Sequence, residues 1–479
     1  MAAPAIGAGT VGQRRVLFGL LDRDGWTWAS VKAAIWFVII VMMLGYIPDR
    51  AYYFTVFPTI DLGVMLYSPV NFCPPSNRTL PCPPPVGATL PWDPSPSQLG
   101  LPSGRTAGTA VQLGLNLVYV AGSDGKAATD TTFTAPLYSG TFGPWLAGPK
   151  LPAARGSAAT AVFSSAVYVA GGNDADGKPT DTVFAAQQDV STAQIASFLP
   201  SDTLKLPEAR ADSAIVVASD GLIVIGGTNG TAVQATVWKS STDKNGKLTA
   251  WKAQAPLPAG LSQASAAIVG DYLYVYGGRD ANGPTNAVYR GTISKDAATL
   301  GQIVQWATPT GSSADKVNLP APRARAAGFS ANGGLYLVGG EDASGLQPQM
   351  YWTVPDAKGD IAGWQHLDAT DLPTGVAGSS AIVSGSQAFL IGGTTSDQPA
   401  VAGSARANLA PQPPFFQLGL FGLTVPALKI GGEIGQQLGY MNAAGVATVN
   451  FIILLLIGWA FAHKERTKAI VDRVIRRNR

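Results

Sequence analysis

A hydrophobic strand ending in glycine recurs six times along this chain, and any fold it adopts has to accept six copies. The copies run Leu117 to Gly122 (L-V-Y-V-A-G), Ala166 to Gly172 (A-V-Y-V-A-G-G), Leu222 to Gly227 (L-I-V-I-G-G), Leu273 to Gly278 (L-Y-V-Y-G-G), Leu335 to Gly340 (L-Y-L-V-G-G) and Ala388 to Gly393 (A-F-L-I-G-G). Their last glycines are spaced 50, 55, 51, 62 and 53 residues apart. A period near fifty built on a short apolar strand belongs to radial β-repeats, in which each repeat is one sheet around a common axis.

Three more markers keep phase with the glycines. A Leu-Pro precedes each copy, at Leu101, Leu151, Leu206, Leu257, Leu319 and Leu372, and in four units an arginine follows three residues past the proline: Arg105, Arg155, Arg210 and Arg323. An aromatic follows the glycine in the first five units (Phe133, Phe184, Trp238, Tyr289, Tyr351), and a ring precedes each Leu-Pro (Trp92, Trp145, Phe198, Trp251, Trp306, Trp364). One four-stranded antiparallel sheet per unit explains the order. A small-residue inner strand such as Ala158 to Phe163 crowds the axis, and the glycine-ended strand is buried on both faces, so it is apolar throughout. The rings fill the wider space between sheets towards the rim.

Double glycine after an apolar strand, then an aromatic, then a Trp, resembles the kelch repeats, over roughly Trp92 to Leu409. The resemblance implies an all-β fold, a six-bladed kelch-like propeller of four-stranded antiparallel blades; it says little about function, because such propellers serve unrelated tasks. The last unit stops after Leu409 without its Trp strand, while Trp92 has no unit before it. The segment around Leu90 to Trp92 is therefore expected to supply the outer strand of the last blade, closing the ring without a free edge.

Six units need about 300 residues, so much of the 479-residue chain lies outside the ring. The expected division is a cytoplasmic segment 1–28, a transmembrane helix 29–47, a Pro-rich extracytoplasmic collar 48–89, the propeller 90–410, an apolar membrane-proximal segment 411–437, a second transmembrane helix 438–462 and a basic tail 463–479. Both apolar runs are long enough to span a bilayer, and Trp26, Trp28 and Tyr46 flank the first. Arg14, Arg15, Arg23 and Lys32 precede the first run, and seven basic residues from Lys464 to Arg479 follow the second, which puts both termini in the cytoplasm and the propeller outside the plasma membrane. Cys73 and Cys82 both lie in the collar, where an oxidising compartment would join them as a disulfide; two free thiols are the alternative. Asn442 and Asn450 fall within the second run, and an amide in hydrocarbon seeks a partner on another helix, the chain's own or another subunit's.

Little in the ring resembles catalytic machinery. The chain has two histidines, His366 and His463, and the ring has no cysteine, no His-x-His and no nucleophile motif, so no metal and no cofactor is called for. Acidic residues after the glycines (Asp124, Asp174, Asp280, Glu341, Asp342) read as turn formers. Arg105, Arg155, Arg210 and Arg323 are the candidate ligand-binding residues: at equivalent places in a ring they could surround one mouth of the channel and hold an anion. The competing reading is structural, each arginine capping carbonyls or pairing with a neighbouring acid. The expected function is a membrane-anchored, non-catalytic binding or assembly subunit with lipid, a membrane protein and a glycan as partners, and no nucleic acid. Its alternative, suggested by the resemblance of the ring to sialic-acid mutarotases, is a carbohydrate-active isomerase or a lectin-like module. An open mouth lined by Arg and a carboxylate favours the sugar reading, whereas a channel plugged by Ala, Ser and Val favours a scaffold.

Overall fold

In the computed structural model the described residues are 85, 87–94, 99–138, 141–189, 194–297, 299–308, 314–385 and 387–409, together with four short strands outside them. The chain divides into two units, Thr79–Gln412 and a second one made of Met1–Arg78 with Pro413–Arg479. The described part of the second unit consists of two hairpins, Arg15–Val16 with Leu21–Asp22 and Gln417–Leu420 with Leu423–Pro426. Among the described residues no helix is long and apolar enough to cross a membrane. The expected spans at 29–47 and 438–462 lie outside the described residues, as do Cys73, Cys82, Asn442 and Asn450.

The first unit is a six-bladed all-β propeller, each blade an antiparallel sheet ordered from the axis outward. Blade 1 runs Thr109–Leu113, Asn116–Val120, Thr132–Tyr138 and Leu146–Ala147. Blade 2 runs Ala159–Phe163, Ala166–Ala170, Val183–Gln187 and Leu199–Pro200. Blade 3 runs Ala214–Ala218, Gly221–Ile225, Val237–Ser241 and Lys252–Ala253. Blade 4 runs Ser265–Val269, Tyr272–Tyr276, Val288–Ile293 and Ile303–Ala307. Blade 5 has Ala327–Ala331, Gly334–Val338 and Met350–Thr353, with its fourth position reduced to one bridge between Trp352 and Gln365.

Blade 6 closes the ring as the sequence predicts. Ser380–Ser384, Gln387–Ile391 and Ser404–Asn408 are joined by Asp93–Pro94, and Thr89 bridges Leu409. The outer strand thus comes from the start of the propeller and the other three from its end, which leaves no unpaired edge at the seam.

The glycines link each blade to the next. Each unit's last glycine donates its N–H to a carbonyl of the following blade, at the position three past the Leu-Pro proline: Gly122 to Arg155, Gly172 to Arg210, Gly227 to Leu261, Gly278 to Arg323, Gly340 to Val376 and Gly393 to Arg105, at 2.6–3.0 Å. In five of the six units a preceding glycine keeps this approach open; at Gly277, with φ +67°, a side chain would meet the Arg323 carbonyl oxygen at 2.7 Å.

The tryptophans tie down the connections at the rim. Trp145, Trp251, Trp306 and Trp364 donate their indole N–H to the carbonyls of Leu99, Leu204, Ala255 and Val317 at 2.7–3.1 Å. Each acceptor stands two residues before the Leu-Pro that opens the same blade. A ring on the outer strand thereby fixes the entry to its own inner strand, and its apolar body fills the gap between blades.

Candidate functional site: the polar mouth of the channel

The four arginines singled out by the repeat lie inside their own blades. Their guanidiniums stack on the periodic aromatic, with Arg105 5.3 Å from the Phe133 centroid, Arg155 4.7 Å from Phe184, Arg210 4.6 Å from Trp238 and Arg323 5.3 Å from Tyr351. In each, Nη2 also donates to the residue two before that ring: Thr131, Thr182, Thr236 and Gln349. Arg105, Arg155 and Arg323 donate Nη1 to the preceding carbonyl, and Arg210 and Arg323 pair with Glu208 and Asp342. All four are buried, Arg210 with 1% of its surface exposed. This is the geometry of the structural alternative, a cation stacked on a ring and held by neighbouring oxygens in four of the six blades. Blades 4 and 6 have Leu261 and Val376 in the arginine's place, and in blade 6 Ala405 holds the ring position.

Two residues past the clamp, the six blades meet around the axis in a closed ring of backbone hydrogen bonds. Ser157 N–H donates to Ala107, Asp212 to Ser157, Gln263 to Asp212, Arg325 to Gln263, Gly378 to Arg325 and Ala107 back to Gly378, at 2.8–3.2 Å. All six residues are left-handed, with φ between 51° and 65°. For the five that are not glycine this conformation costs roughly 1–2 kcal/mol each, and the hydrogen-bond ring offsets part of it. Their side chains differ from blade to blade, so the strained backbone belongs to the fold while its side chains do not.

A second polar ring surrounds the first. The residues after the last glycines are Ser123, Asn173, Thr228, Arg279, Glu341 and Thr394. Glu341 lies between two cations, its Oε1 3.3 Å from Arg279 Nη2 and its Oε2 3.2 Å from Arg325 Nη1. Arg325 Nη2 also donates to the hydroxyls of Thr106 and Thr394 at 3.3 and 3.4 Å. Arg279 keeps 40% of its side chain exposed and Arg325 26%, so the mouth is open to solvent.

Asp212 and Gln263 complete the site. Burial pushes the Asp212 carboxyl above the ordinary carboxylate range, although the residue as a whole is only half-buried. Hydrogen bonds from Ser157 and Gln263 and the charges of Arg325 and Arg279 pull the other way without cancelling it. Gln263 Oε1 is buried with no hydrogen-bond partner among the described residues. A mouth with partly exposed guanidinium, a half-buried carboxyl and an unsatisfied amide oxygen can receive a ligand that offers both donors and acceptors.

Elsewhere the polar residues serve turns. Asp124, Asp174, Asp280 and Asp342 each accept backbone N–H groups from residues two to four positions on, as Asp174 does from Asp176 and Lys178 at 2.9 Å. Glu341, read with them as a turn former, belongs instead to the mouth. His366 stands among carboxylates: its Nε2 is 3.0 Å from Asp371 and its Nδ1 3.8 Å from Asp368. Asp371 Oδ1 already accepts the Met350 N–H at 2.9 Å, which ties the group to the blade. The sequence reading did not single out Asp212, Gln263, Arg279 or Arg325. Aligning the six units two residues past the clamp would have exposed three of them as the position where side chains vary.

Residues 156–393 match the family described as the KLHDC2/KLHL20/DRC7 Kelch-repeats domain. Among curated proteins, the Kelch-like protein terF of Aspergillus terreus is 30% identical over 278 residues, which are 56% of this chain and 56% of that protein. The match thus spans little more than half the length of that relative. Among solved structures, that of YjhT superposes with a TM-score of 0.51 and 16% identity, over 64% of this chain and 96% of the other; at that identity it speaks for the fold alone. With six glycine-ended blades, a recurring ring-and-arginine clamp and a matching domain description, the chain belongs to the kelch-repeat family.

Proposed function

We propose that this protein is a membrane-anchored propeller, held outside the cytoplasm, that acts as a non-catalytic protein- or glycan-binding subunit of a membrane complex and binds through the polar mouth of its channel. Kelch propellers are in general interaction modules. The observation that carries the reading is Asp212: a carboxyl on left-handed backbone, within the field of Arg325 and Arg279, where blade 6 makes the same ring with Gly378. The backbone ring does not need that side chain, and burial disfavours its charged form, a combination that suits a site kept for binding. The anchor rests on the apolar runs at 29–47 and 438–462, with Asn442 and Asn450 as intramembrane contacts and a Cys73–Cys82 disulfide in the collar.

Isolation of the full chain from its native membranes in mild detergent tests this reading. Partners recovered with the wild type should be lost with Asp212→Ala and Arg279→Ala, and retained with a rim variant such as Lys252→Ala. Recovery of the same partners by all three would refute it.

A second reading is favoured by one observation: Arg279, Arg325 and Glu341 put guanidinium and carboxylate together at an open mouth, the arrangement that suits an acidic sugar. In that case a free acidic sugar such as sialic acid should raise the melting temperature of the wild type but not of Arg279→Ala. A faster exchange between the sugar's anomers, followed by NMR, would make the protein an isomerase instead of a lectin.

A further inference from the structure

The outer part of the groove between blades 4 and 5 is hollow. Across blade 4, Tyr274, Arg290 and Ala307 are neighbours on adjacent strands, so they share the face turned to blade 5. In blades 1, 2, 3 and 5 a longer side chain follows the rim aromatic, at Leu146, Leu199, Lys252 and Gln365; in blade 4 that place is Ala307. Blade 5 has only a single bridge at its fourth position, and the loop after Thr353 turns back onto blade 4. Tyr274 donates its hydroxyl to the Gly359 carbonyl at 2.7 Å, and Arg290 Nη1 donates to the Lys358 carbonyl at 3.2 Å and pairs with Asp360. Within the loop, Asp356 accepts the N–H groups of Lys358 and Asp360 at 2.8 and 2.9 Å. The loop is thus a fixed wall.

Between that wall and blade 4 lies a cavity of about 330 Å³. Tyr274, Val288, Val317 and Ile361 give it an apolar lining, and Arg290, Asp360 and Thr308 are its polar part. An apolar hollow with a few polar groups, at the lower end of the roughly 300–1,000 Å³ of small-molecule sites, suits a small ligand. Arg290 decides the ligand's polar end. Its Nη1 makes both contacts with the loop, its guanidinium lies 5.0 Å from the Tyr272 centroid, and Nε and Nη2 have no hydrogen-bond partner among the described residues. The Arg290 side chain is 27% exposed and that of Asp360 63%. The acid therefore stands mostly in water, which screens it, while the cation keeps donors for a further acceptor.

We propose that this cavity binds a small aromatic carboxylate, its ring among Tyr274, Val288, Val317 and Ile361 and its carboxylate on Arg290. A flat ring packs against the Tyr274 ring and the branched aliphatic side chains, and a carboxylate accepts the N–H groups that the loop leaves unused. Such a site shares no residue with the polar mouth and is independent of the membrane anchor.

The test titrates para-fluorobenzoate with the full chain in mild detergent and follows the probe by fluorine NMR, with detergent alone as the blank. The wild type should broaden the line and give a Kd. Ala307 is exposed, so Ala307→Trp should fill the cavity without disturbing the core, and Arg290→Gln should remove the charge; each is expected to weaken binding about tenfold. Should the Trp variant fail to fold, as circular dichroism reports, Ala307→Leu imitates Leu146 and Leu199 of blades 1 and 2. Arg279→Ala, at the mouth, should bind like the wild type. The uncharged para-fluorobenzyl alcohol should bind the wild type about tenfold more weakly than the benzoate, which separates the role of charge from any shift of the loop in Arg290→Gln. No broadening by the wild type, or an unchanged Kd in the folded Ala307 variant, overturns the site. Loss of binding in Arg279→Ala puts the ligand at the mouth and overturns it too. An alcohol that binds as tightly as the benzoate, or an Arg290→Gln variant that binds as before, overturns the carboxylate.

Discussion

Arg325 of blade 5 reaches across blade 6 to Thr106 of blade 1, its Nη2 3.3 Å from the threonine hydroxyl, and passes over Gly378 on the way. Thr394 of blade 6 donates its own hydroxyl to Thr106 at 2.8 Å, so one cation spans the seam at which the ring closes. Gly378 leaves the room: a side chain there would stand 2.9 Å from Arg325 Nη2 and 2.6 Å from Thr106 Oγ1. Gly378→Ala should therefore cost about 1–2 kcal/mol, from its left-handed φ and from the displaced guanidinium. Thermal unfolding measures the loss. Because Arg325 also holds Glu341, ligand binding at the mouth should weaken in the same variant.

The arginine clamp predicts a different pattern. Arg210→Leu, which imitates Leu261 of blade 4, removes the contact with Trp238 and the hydrogen bonds to Thr236 and Glu208. A loss of roughly 2–3 kcal/mol is expected in urea unfolding. Binding by the surviving folded protein should be unchanged; a selective loss of binding would return the arginines to the ligand site.

At the rim, Trp251→Phe removes only the indole N–H bond to the Leu204 carbonyl, 2.7 Å long, and part of the ring. Blade 2 already carries Phe198 at this position, so the fold accepts the change. The expected cost is about 1–2 kcal/mol, read by urea unfolding, with the structure around Leu206 otherwise retained.

Much of the architecture was legible in the sequence because a ring of like sheets repeats its chemistry. The final glycines perform one job six times and the Trp markers one job four times, and Trp92 without a unit before it revealed how the seam closes. The mouth was harder to read for the converse reason. Ala107, Ser157, Asp212, Gln263, Arg325 and Gly378 share a backbone conformation and nothing else, and a search for recurring side chains passes over them. Such a search found the arginines instead, and their recurrence marks a clamp within four of the blades. Glu341 was misread because its neighbours Asp342 and Asp280 do form turns, and only the third dimension brings Arg279 and Arg325 to its two oxygens.

The mouth as a binding site that costs stability is tested most directly by Asp212→Asn, with unfolding and partner retention measured on the same preparation. Asn keeps the shape of the side chain and tolerates left-handed backbone better than most residues. Burial raises the Asp212 pKa in the folded state, so its protonated form is the one the fold accommodates. The wild type therefore loses stability as pH rises from below the unfolded-state carboxylate pKa through the higher folded one, whereas the variant has no such loss. The prediction is an Asn variant that melts higher than the wild type near neutral pH, with the gap closing in acid and partner retention reduced at least tenfold. A variant that melts lower than the wild type and keeps its partners would contradict the account.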